Sequence, residues 1–227
     1  MFEKQAQHYL LLGILLAGVF FFARGDVLSG QLWGMATETW LWLAVAVPVL
    51  HQISVGLLWR AELYHHKMAE WFGDQAFDIF KIIFTTLFIG RPITLILLGI
   101  SNMNTLMLDP GIAYVLAVIL FVPFAYTMYS VFHYFGIDRA YGADHFDTSY
   151  RSKPFVKQGM FKYTDNAMYK FGFLILWVIA LVLLSKAALL VAAFSHLYIW
   201  VHFYFTELPD IRHIYGTQPN QGSKEPA

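Results

Sequence analysis

Two polar segments near the C-terminal end of the chain contain residue types that could bind a small charged molecule. The first, GMFKYTDNAMYKFGF at 159–173, places a Thr-Asp-Asn cluster at 164–166 among aromatic residues and continues directly into an apolar stretch. The second, SHLYIWVHFYFTELPDIRHIYG at 195–216, ends an apolar stretch with the carboxylate of Glu207. The chemistry of these segments depends on the helices that position them.

Helical spacing predicts that the second segment presents one stripe of side chains. At 100° per residue, the residues on a single side of the helix are His196, Trp200, Phe203 and Glu207. The apolar stretches 168–185 and 188–206 are joined by a very short turn, so their helices must pack antiparallel. We therefore predict that the cluster at 164–166 and the end of the stripe meet.

Together these features suit a ligand with a cationic group, an anionic group and a flat ring. Free N–H groups at a helix N-terminus hold carboxylates. Aromatic faces such as those of Tyr163 and Tyr169 attract sulfonium groups, and Glu207 attracts an amino group. S-adenosylmethionine has all three features. Each also has a structural explanation, because the cluster at 164–166 can cap a helix and Trp200 can anchor a membrane interface.

If such a ligand passes its methyl group to an acceptor, a base must take the proton that the acceptor loses. We favour His145 for this role, with its neighbour Asp144 in the sequence GADHF. His133, at the end of the fourth apolar stretch, is the second choice, and His196 on the stripe is a further candidate.

Composition identifies an integral membrane protein. Of the 227 residues, 58% are hydrophobic, 18% are aromatic and only 13% are charged, which soluble domains rarely combine. The net charge is zero, so nothing indicates a nucleic-acid partner. No cysteine is present, and the adjacent His65 and His66 would face different ways on a helix, so no metal site is predicted.

Six apolar stretches are long enough to cross a hydrocarbon core of about 30 Å. They are 8–23, 39–59, 77–100, 111–135, 168–185 and 188–206. Segments of alternating polarity typical of a β-barrel are missing from the sequence, so we predict an all-α membrane protein with about six transmembrane helices. Lys and Arg follow the even-numbered spans, which predicts cytoplasmic N- and C-termini and a cofactor site at the cytoplasmic face. A bacterial inner membrane and the endoplasmic reticulum fit equally well.

Three basic residues could contact the phosphate of a lipid. Arg91 lies deep in the third apolar stretch, where an ionisable side chain is functional by default; it could bind phosphate, snorkel to water or pair with a carboxylate. The Arg91-Pro92 pair could also divide this stretch into a re-entrant hairpin. Lys153 and Lys157 belong to a basic loop expected to attract headgroups.

The two polar segments resemble the paired C-terminal motifs of phosphatidylethanolamine N-methyltransferases, within the wider group of phospholipid and isoprenylcysteine methyltransferases of membranes. The residues that match the first motif are Gly159, Asp165, Asn166, Met168 and Tyr169. Those that fit the second are Glu207, Pro209, Ile214, Tyr215 and Gly216. The resemblance covers about 130–216 and implies that both motifs bind S-adenosylmethionine at the cytoplasmic face.

The sequence departs from the family pattern at two positions. Ala167 replaces the proline of the first motif, and Leu208 replaces the second glutamate of the second motif. One acidic contact to the cofactor is therefore missing or comes from elsewhere, for example from Asp210.

The leading hypothesis is methyl transfer from S-adenosylmethionine to the amine of phosphatidylethanolamine and of its methylated products. The cofactor-binding candidates are Gly159, Tyr163, Asp165, Asn166, Tyr169, Trp200 and Glu207. The alternatives are methylation of an isoprenylcysteine carboxylate or a small thiol, and a non-enzymatic protein such as a small transporter. We expect one transmembrane domain, 1–216, a disordered tail, 217–227, and contact with membrane phospholipid; the oligomeric state stays open.

Overall fold

The computed structural model describes residues 2–216, and nine α-helices account for most of this part of the chain. They are α1 (Gln5–Phe22), α2 (Thr37–His65), α3 (Lys67–Phe72), α4 (Ala76–Ser101), α5 (Pro110–Ser130), α6 (Ile137–Ala140), α7 (Leu174–Val182), α8 (Lys186–His202) and α9 (Leu208–Tyr215). Two strands of two residues, β1 (Gln31–Leu32) and β2 (Met35–Ala36), pair antiparallel between α1 and α2. The predicted all-α membrane fold is confirmed.

Five helical runs in the described residues are long and apolar enough to cross a membrane. They are Gln5–Phe22, Thr37–His65, Lys67–Ser101, Pro110–Phe135 and Lys186–Tyr215. The fifth predicted span forms the shorter apolar helix Met168–Val182. At 1.5 Å per residue this helix is about 22 Å long, which is less than the hydrocarbon core. The bundle therefore has five long helices and one short one.

The third span is continuous. Helix α4 runs from Ala76 to Ser101 through Arg91 and Pro92, so the alternative of a re-entrant hairpin at this pair is not what the structure shows. Pro92 has no N–H to donate to the Phe88 carbonyl four residues earlier, and packing of α4 against α2, α7 and α8 supports the helix at this point.

Helix α8 lies at the centre of the bundle, where it packs against α1, α2, α4 and α7. Its buried face carries small residues, including Ala187, Ala188 and Ala192, none of which is exposed. Small side chains let helix backbones approach closely in a membrane. The residues that follow α8 toward the C-terminus are therefore held against several other helices.

Both ends of the described chain lie at the same end of the bundle. The Gln5 side-chain amide donates a hydrogen bond to the Phe205 carbonyl at 3.0 Å. We call this the motif end, because it holds the segments 131–172 and 203–215. The hairpin end is the opposite one, where the turn between α7 and α8 meets Asp26 and Asn102. Which end faces the cytoplasm stays a prediction, as do the domain limits, and the expected tail at 217–227 lies outside the described residues.

Candidate functional site

A half-buried tyrosine and a half-buried glutamate from the two predicted motifs meet at the motif end. The Tyr169 hydroxyl donates a hydrogen bond to Oε2 of Glu207. The ring of Tyr169 lies 6.0 Å from that of Trp200 and 5.3 Å from that of Phe203. The structure therefore brings together Tyr169, Trp200 and Glu207, three of the predicted cofactor-binding residues.

Three π-helical turns shape this end of the bundle. They are Val131–Phe135 after α5, Met168–Gly172 before α7, and Phe203–Glu207 after α8. A π turn adds one residue to a helical turn and is frequent at functional sites. Tyr169 and Glu207 both lie in such turns, so their directions differ from those of a regular helix. Hydrophobic periodicity gives no signal for this change.

His196 joins the two helices that carry the motifs. Its Nδ1 atom accepts a hydrogen bond from the Trp177 indole at 3.0 Å, which leaves the proton on Nε2, and Nε2 donates to the Tyr169 carbonyl at 2.9 Å. Both ring nitrogens are therefore engaged. This arrangement positions Tyr169 and leaves His196 without a lone pair to act as the base considered from the sequence.

Position 159 requires a glycine because of its backbone conformation and its close packing. Its φ is +58°, and an added Cβ would collide with the Ser130 side chain. The Ser130 hydroxyl accepts a hydrogen bond from the Met160 amide at 2.9 Å. Phe161 is also buried, with its ring stacked 4.8 Å from that of Phe135. This turn of the first motif thus packs against the end of α5.

The cluster at 164–166 directly precedes the helical run that begins at Ala167, as the sequence predicts. Lys170 donates a hydrogen bond to the Thr164 hydroxyl at 2.9 Å. Tyr163 and Asp165 are exposed, whereas Asn166 is half-buried. Tyr163 is 73% exposed, so the described structure does not place it in the group around Tyr169.

Asp144 and His145 belong to a network of charged side chains. The His145 Nδ1 atom lies 3.1 Å from Asp144, and its Nε2 atom lies 3.8 Å from Asp210. Asp210 is unexposed and pairs with Arg60 at 3.0 Å. The Tyr215 hydroxyl donates to Asp144 at 2.8 Å. Asp210 is therefore committed to this network and is not a free substitute for the glutamate replaced by Leu208.

The network also sets the protonation of His145. Burial alone would lower the pKa of His145, but the hydrogen bond with Asp144 and the charges of Asp144 and Asp210 raise it to about 9. Burial would raise the pKa of Asp144, yet its bonds with His145 and Tyr215 lower it. His145 is thus protonated at neutral pH, which weighs against its predicted role as the base.

His133 has a different environment. It is exposed and lies in the π turn after α5, with its ring stacked 5.3 Å from that of Tyr129. His133 belongs to the candidate span Pro110–Phe135, and its role as the second-choice base stays a prediction.

The three predicted phosphate contacts are not brought together. Lys153 and Lys157 are exposed on the loop after α6, where Arg139 donates hydrogen bonds to the carbonyls of Lys153 and Pro154 at 3.0 and 2.9 Å. Arg91 is buried inside the bundle, with 5% exposure. Its guanidinium carbon lies 5.5 Å from the centre of the Phe173 ring.

Sequence reasoning did not find the ion pair between Arg60 and Asp210. Arg60 lies near the end of α2 and Asp210 lies 150 positions later, so only the tertiary fold brings them together. One signal was present, because both are charged residues next to apolar stretches, and such residues are paired when they are buried.

Glu207 has the acceptor capacity that a bound amino group would require. Among the contacts of the described residues, Tyr169 is its hydrogen-bond partner, whereas a carboxylate can accept about four hydrogen bonds. The ring of Tyr169, whose hydroxyl donates to this carboxylate, packs against the rings of Trp200 and Phe203. The site therefore fits a ligand with an ammonium group and a second cationic or flat group.

Comparison with known families agrees with the two motifs. Residues 112–218 match the family model described as phospholipid methyltransferase. The matched region contains all three π turns and the Tyr169–Glu207 contact. No curated protein and no solved structure matches the chain significantly.

Proposed function

We propose that the protein methylates the amine of phosphatidylethanolamine and of its methylated products. The match of residues 112–218 to the phospholipid methyltransferase family model supports this proposal. The methyl donor is S-adenosylmethionine, which supplies an electrophilic methyl group on a sulfonium. The observation that carries this proposal is the half-buried contact between Tyr169 and Glu207, which joins the two motifs.

Glu207 is the residue that we assign to the amino group of the donor. Its carboxylate contacts Tyr169, whose ring packs against two further aromatic rings, and aromatic faces stabilise a nearby sulfonium. Tyr169 donates to Oε2 and so orients the carboxylate, while Trp200 forms one wall. The carboxylate thus combines charge with a fixed direction, which favours a charge-assisted hydrogen bond.

The first motif supplies the remaining donor contacts in this proposal. Gly159 brings its turn against α5, and Asn166 offers an amide at the start of the helical run. Asp165 and Tyr163 are exposed, so they would contact the donor from the water side. Backbone N–H groups at the start of a helical run suit the donor's carboxylate.

The proton of the acceptor ammonium leaves through a histidine. In each transfer a nitrogen–carbon bond forms, the sulfur–carbon bond breaks, and one proton is released. His133, the second-choice base, takes this proton, because His145 is already protonated. His145 instead holds Asp144 in place, and the Asp144 carboxylate stabilises the ammonium before its deprotonation.

The acceptor lipid contacts the basic side chains. Lys153 and Lys157 lie on an exposed loop and attract headgroup phosphates by charge. Arg91 contacts the lipid from inside the bundle.

A lipid assay tests the reaction. Purified protein is mixed with phosphatidylethanolamine vesicles and methyl-labelled S-adenosylmethionine, and the extracted lipids are analysed by mass. We expect label in methylated headgroups, absent with Glu207→Gln and retained with the control Glu38→Gln, which removes an exposed carboxylate. Parallel reactions are supplied with an isoprenylcysteine or a small thiol, and label on either of these, with none on lipid, would replace the acceptor that we propose. Failure to bind the donor would refute the methyltransferase proposal.

A further inference from the structure

Three transmembrane helices bury nitrogen-bearing side chains in one part of the bundle. They are His51 of α2, Arg91 of α4 and His202 of α8, with 3%, 5% and 1% exposure. Both ring nitrogens of each histidine, and Nε and Nη2 of Arg91, have no hydrogen-bond partner within the described residues. Two of the three, His51 and Arg91, lie outside the region that matches the family.

The three side chains lie in the same part of the bundle, because α2, α4 and α8 pack against one another. Cε1 of His202 lies 3.7 Å from the position that a Cβ on Gly56 of α2 would take. Gly90, the neighbour of Arg91, packs against Val47 of α2, which lies about one helical turn before His51.

The surroundings of the cluster are apolar and aromatic. His51 lies edge-on to Phe84, with ring centres 4.5 Å apart, and the Arg91 guanidinium lies over the Phe173 ring. An unpaired guanidinium in such surroundings is unfavourable, because little water and no counter-charge offsets the loss of its hydration.

Two of the explanations that the sequence allows for Arg91 do not hold. Its low exposure rules out snorkelling to the membrane surface, and no ion pair joins Arg91 to a carboxylate of the described residues. An anion that enters from outside the chain would supply the missing partner. Planar guanidinium groups bind phosphate through two parallel hydrogen bonds, and imidazole N–H groups can add to them.

We propose that the cluster of His51, Arg91 and His202 binds the phosphodiester of the acceptor phospholipid. The identity of the lipid as an acceptor rests on the function proposed above. His202 directly precedes the π turn Phe203–Glu207, so about one helical turn separates it from Glu207. A phosphodiester at the cluster directs the amine, at the end of its two-carbon arm, toward the motif end, while the acyl chains stay in the membrane.

The test compares two acceptors that differ in phosphate. One is phosphatidylethanolamine, and the other is a dialkyl lipid with a primary amine and no phosphate. For Arg91→Gln we expect kcat/KM for phosphatidylethanolamine to fall at least about tenfold, with the phosphate-free amine changed less than about twofold. Arg91→Lys should retain part of the preference, because it keeps the charge but not the planar donor pair.

Matched variants separate a lipid contact from a structural role. His202→Gln should reduce the preference for the phosphate-bearing acceptor in the same direction, whereas the control Arg24→Gln, at the exposed residue after α1, should leave it unchanged. An equal loss for both acceptors in Arg91→Gln and Arg91→Lys would show that Arg91 supports the fold and would overturn the proposal. An unchanged preference of Arg91→Gln for phosphatidylethanolamine over the phosphate-free amine would also overturn it.

A binding measurement keeps the proposal separate from the methylation reaction. Native mass spectrometry of the full chain would record adducts with phosphatidylethanolamine, the phosphate-free amine and inorganic phosphate. Retention of phosphatidylethanolamine that is lost in Arg91→Gln would support the phosphate site even if no methylation occurs. Arg91-dependent binding of inorganic phosphate, with lipid binding unaffected by the substitution, would assign the cluster to a free anion and overturn the lipid site.

Discussion

The two ends of the α7–α8 helix pair use polar groups in opposite ways. At the hairpin end, the Asn102 amide nitrogen donates to the carbonyls of Asp26 and Ser29, each at 2.8 Å. Its oxygen accepts from Thr105, Ser185 and the Ala187 amide. At the motif end, Glu207 has Tyr169 as its partner among the described residues and keeps spare acceptor capacity.

This difference separates a structural cluster from a candidate binding site. Asn102 is buried, and its side-chain atoms are all engaged within the fold, so it fixes the turn that makes α7 and α8 antiparallel. Glu207 is anchored by one hydroxyl and can still accept bonds from a ligand. The network around His145 has a structural role as well, since its ion pairs hold α9 to the loop after α6.

The largest expected effect comes from a substitution that disrupts the hydrogen bonds at the hairpin end. Asn102→Ala removes the partners of several buried groups, including the Ala187 amide, and each unmet group costs about 1–3 kcal/mol. We expect the free energy of unfolding in detergent micelles to fall by about 3 kcal/mol. Activity per folded molecule should stay within about twofold. A loss of activity with unchanged stability would show that the hairpin end is not only structural.

The next largest effect comes from a substitution at the motif end. In Glu207→Gln the charge is lost while the size is kept, and a charge-assisted hydrogen bond is worth about 2 kcal/mol. Turnover efficiency with S-adenosylmethionine should therefore fall about thirtyfold. The protein should remain as stable as the wild type, because burial of an ionised carboxylate is itself unfavourable. Thermal unfolding and initial rates of the same preparation would check both statements.

Unfolding measured at several pH values tests how much the ion pairs of His145 stabilise the fold. Because its folded pKa of about 9 exceeds its unfolded value near 6.5, His145 stabilises the fold fully below about pH 6.5. This contribution is lost as the pH rises through 9. We expect the free energy of unfolding to fall by on the order of 2 kcal/mol between pH 7 and pH 9.

His145→Gln is the control for that series, since it should flatten this part of the pH profile. A wild-type profile that matches the variant's over the same interval would contradict the ion pairs described for His145.

The smallest effect tests the orientation of Glu207. Tyr169→Phe keeps the ring but removes the hydroxyl that donates to Oε2. A neutral hydrogen-bond donor contributes about 1 kcal/mol, so turnover efficiency should fall about fivefold. Tyr114→Phe, which removes the hydroxyl of an exposed tyrosine outside the site, serves as a comparison. An effect as large as that of Glu207→Gln would mean that Tyr169 itself contacts the reacting groups.

The sequence predicted those features that depend on long apolar stretches and short connections. The helices α4 and α5 lie close to their expected bounds, whereas α2 continues six residues beyond the predicted end, to His65. Asp109 caps α5, with its side chain accepting from the Ile112 amide at 3.1 Å. The short turn before Ser185 was sufficient to predict that α7 and α8 are antiparallel. That arrangement is what brings Tyr169 to Glu207.

Other features depended on information that local patterns do not contain. The three π turns each need only one extra residue per turn, which leaves hydrophobic periodicity almost unchanged. The protonation of His145 depends on Asp210, which lies 65 positions away in the sequence and is itself placed by Arg60. The continuity of α4 at Pro92 depends on packing against neighbouring helices.

The central claim is that the motif end binds S-adenosylmethionine through Glu207, and isothermal titration of the donor tests it most directly. The wild type and Glu38→Gln should bind with the same affinity, and Glu207→Gln should bind at least about tenfold more weakly. Equal binding by all three proteins would contradict the assignment of Glu207, and absence of binding by the wild type would contradict the site as a whole.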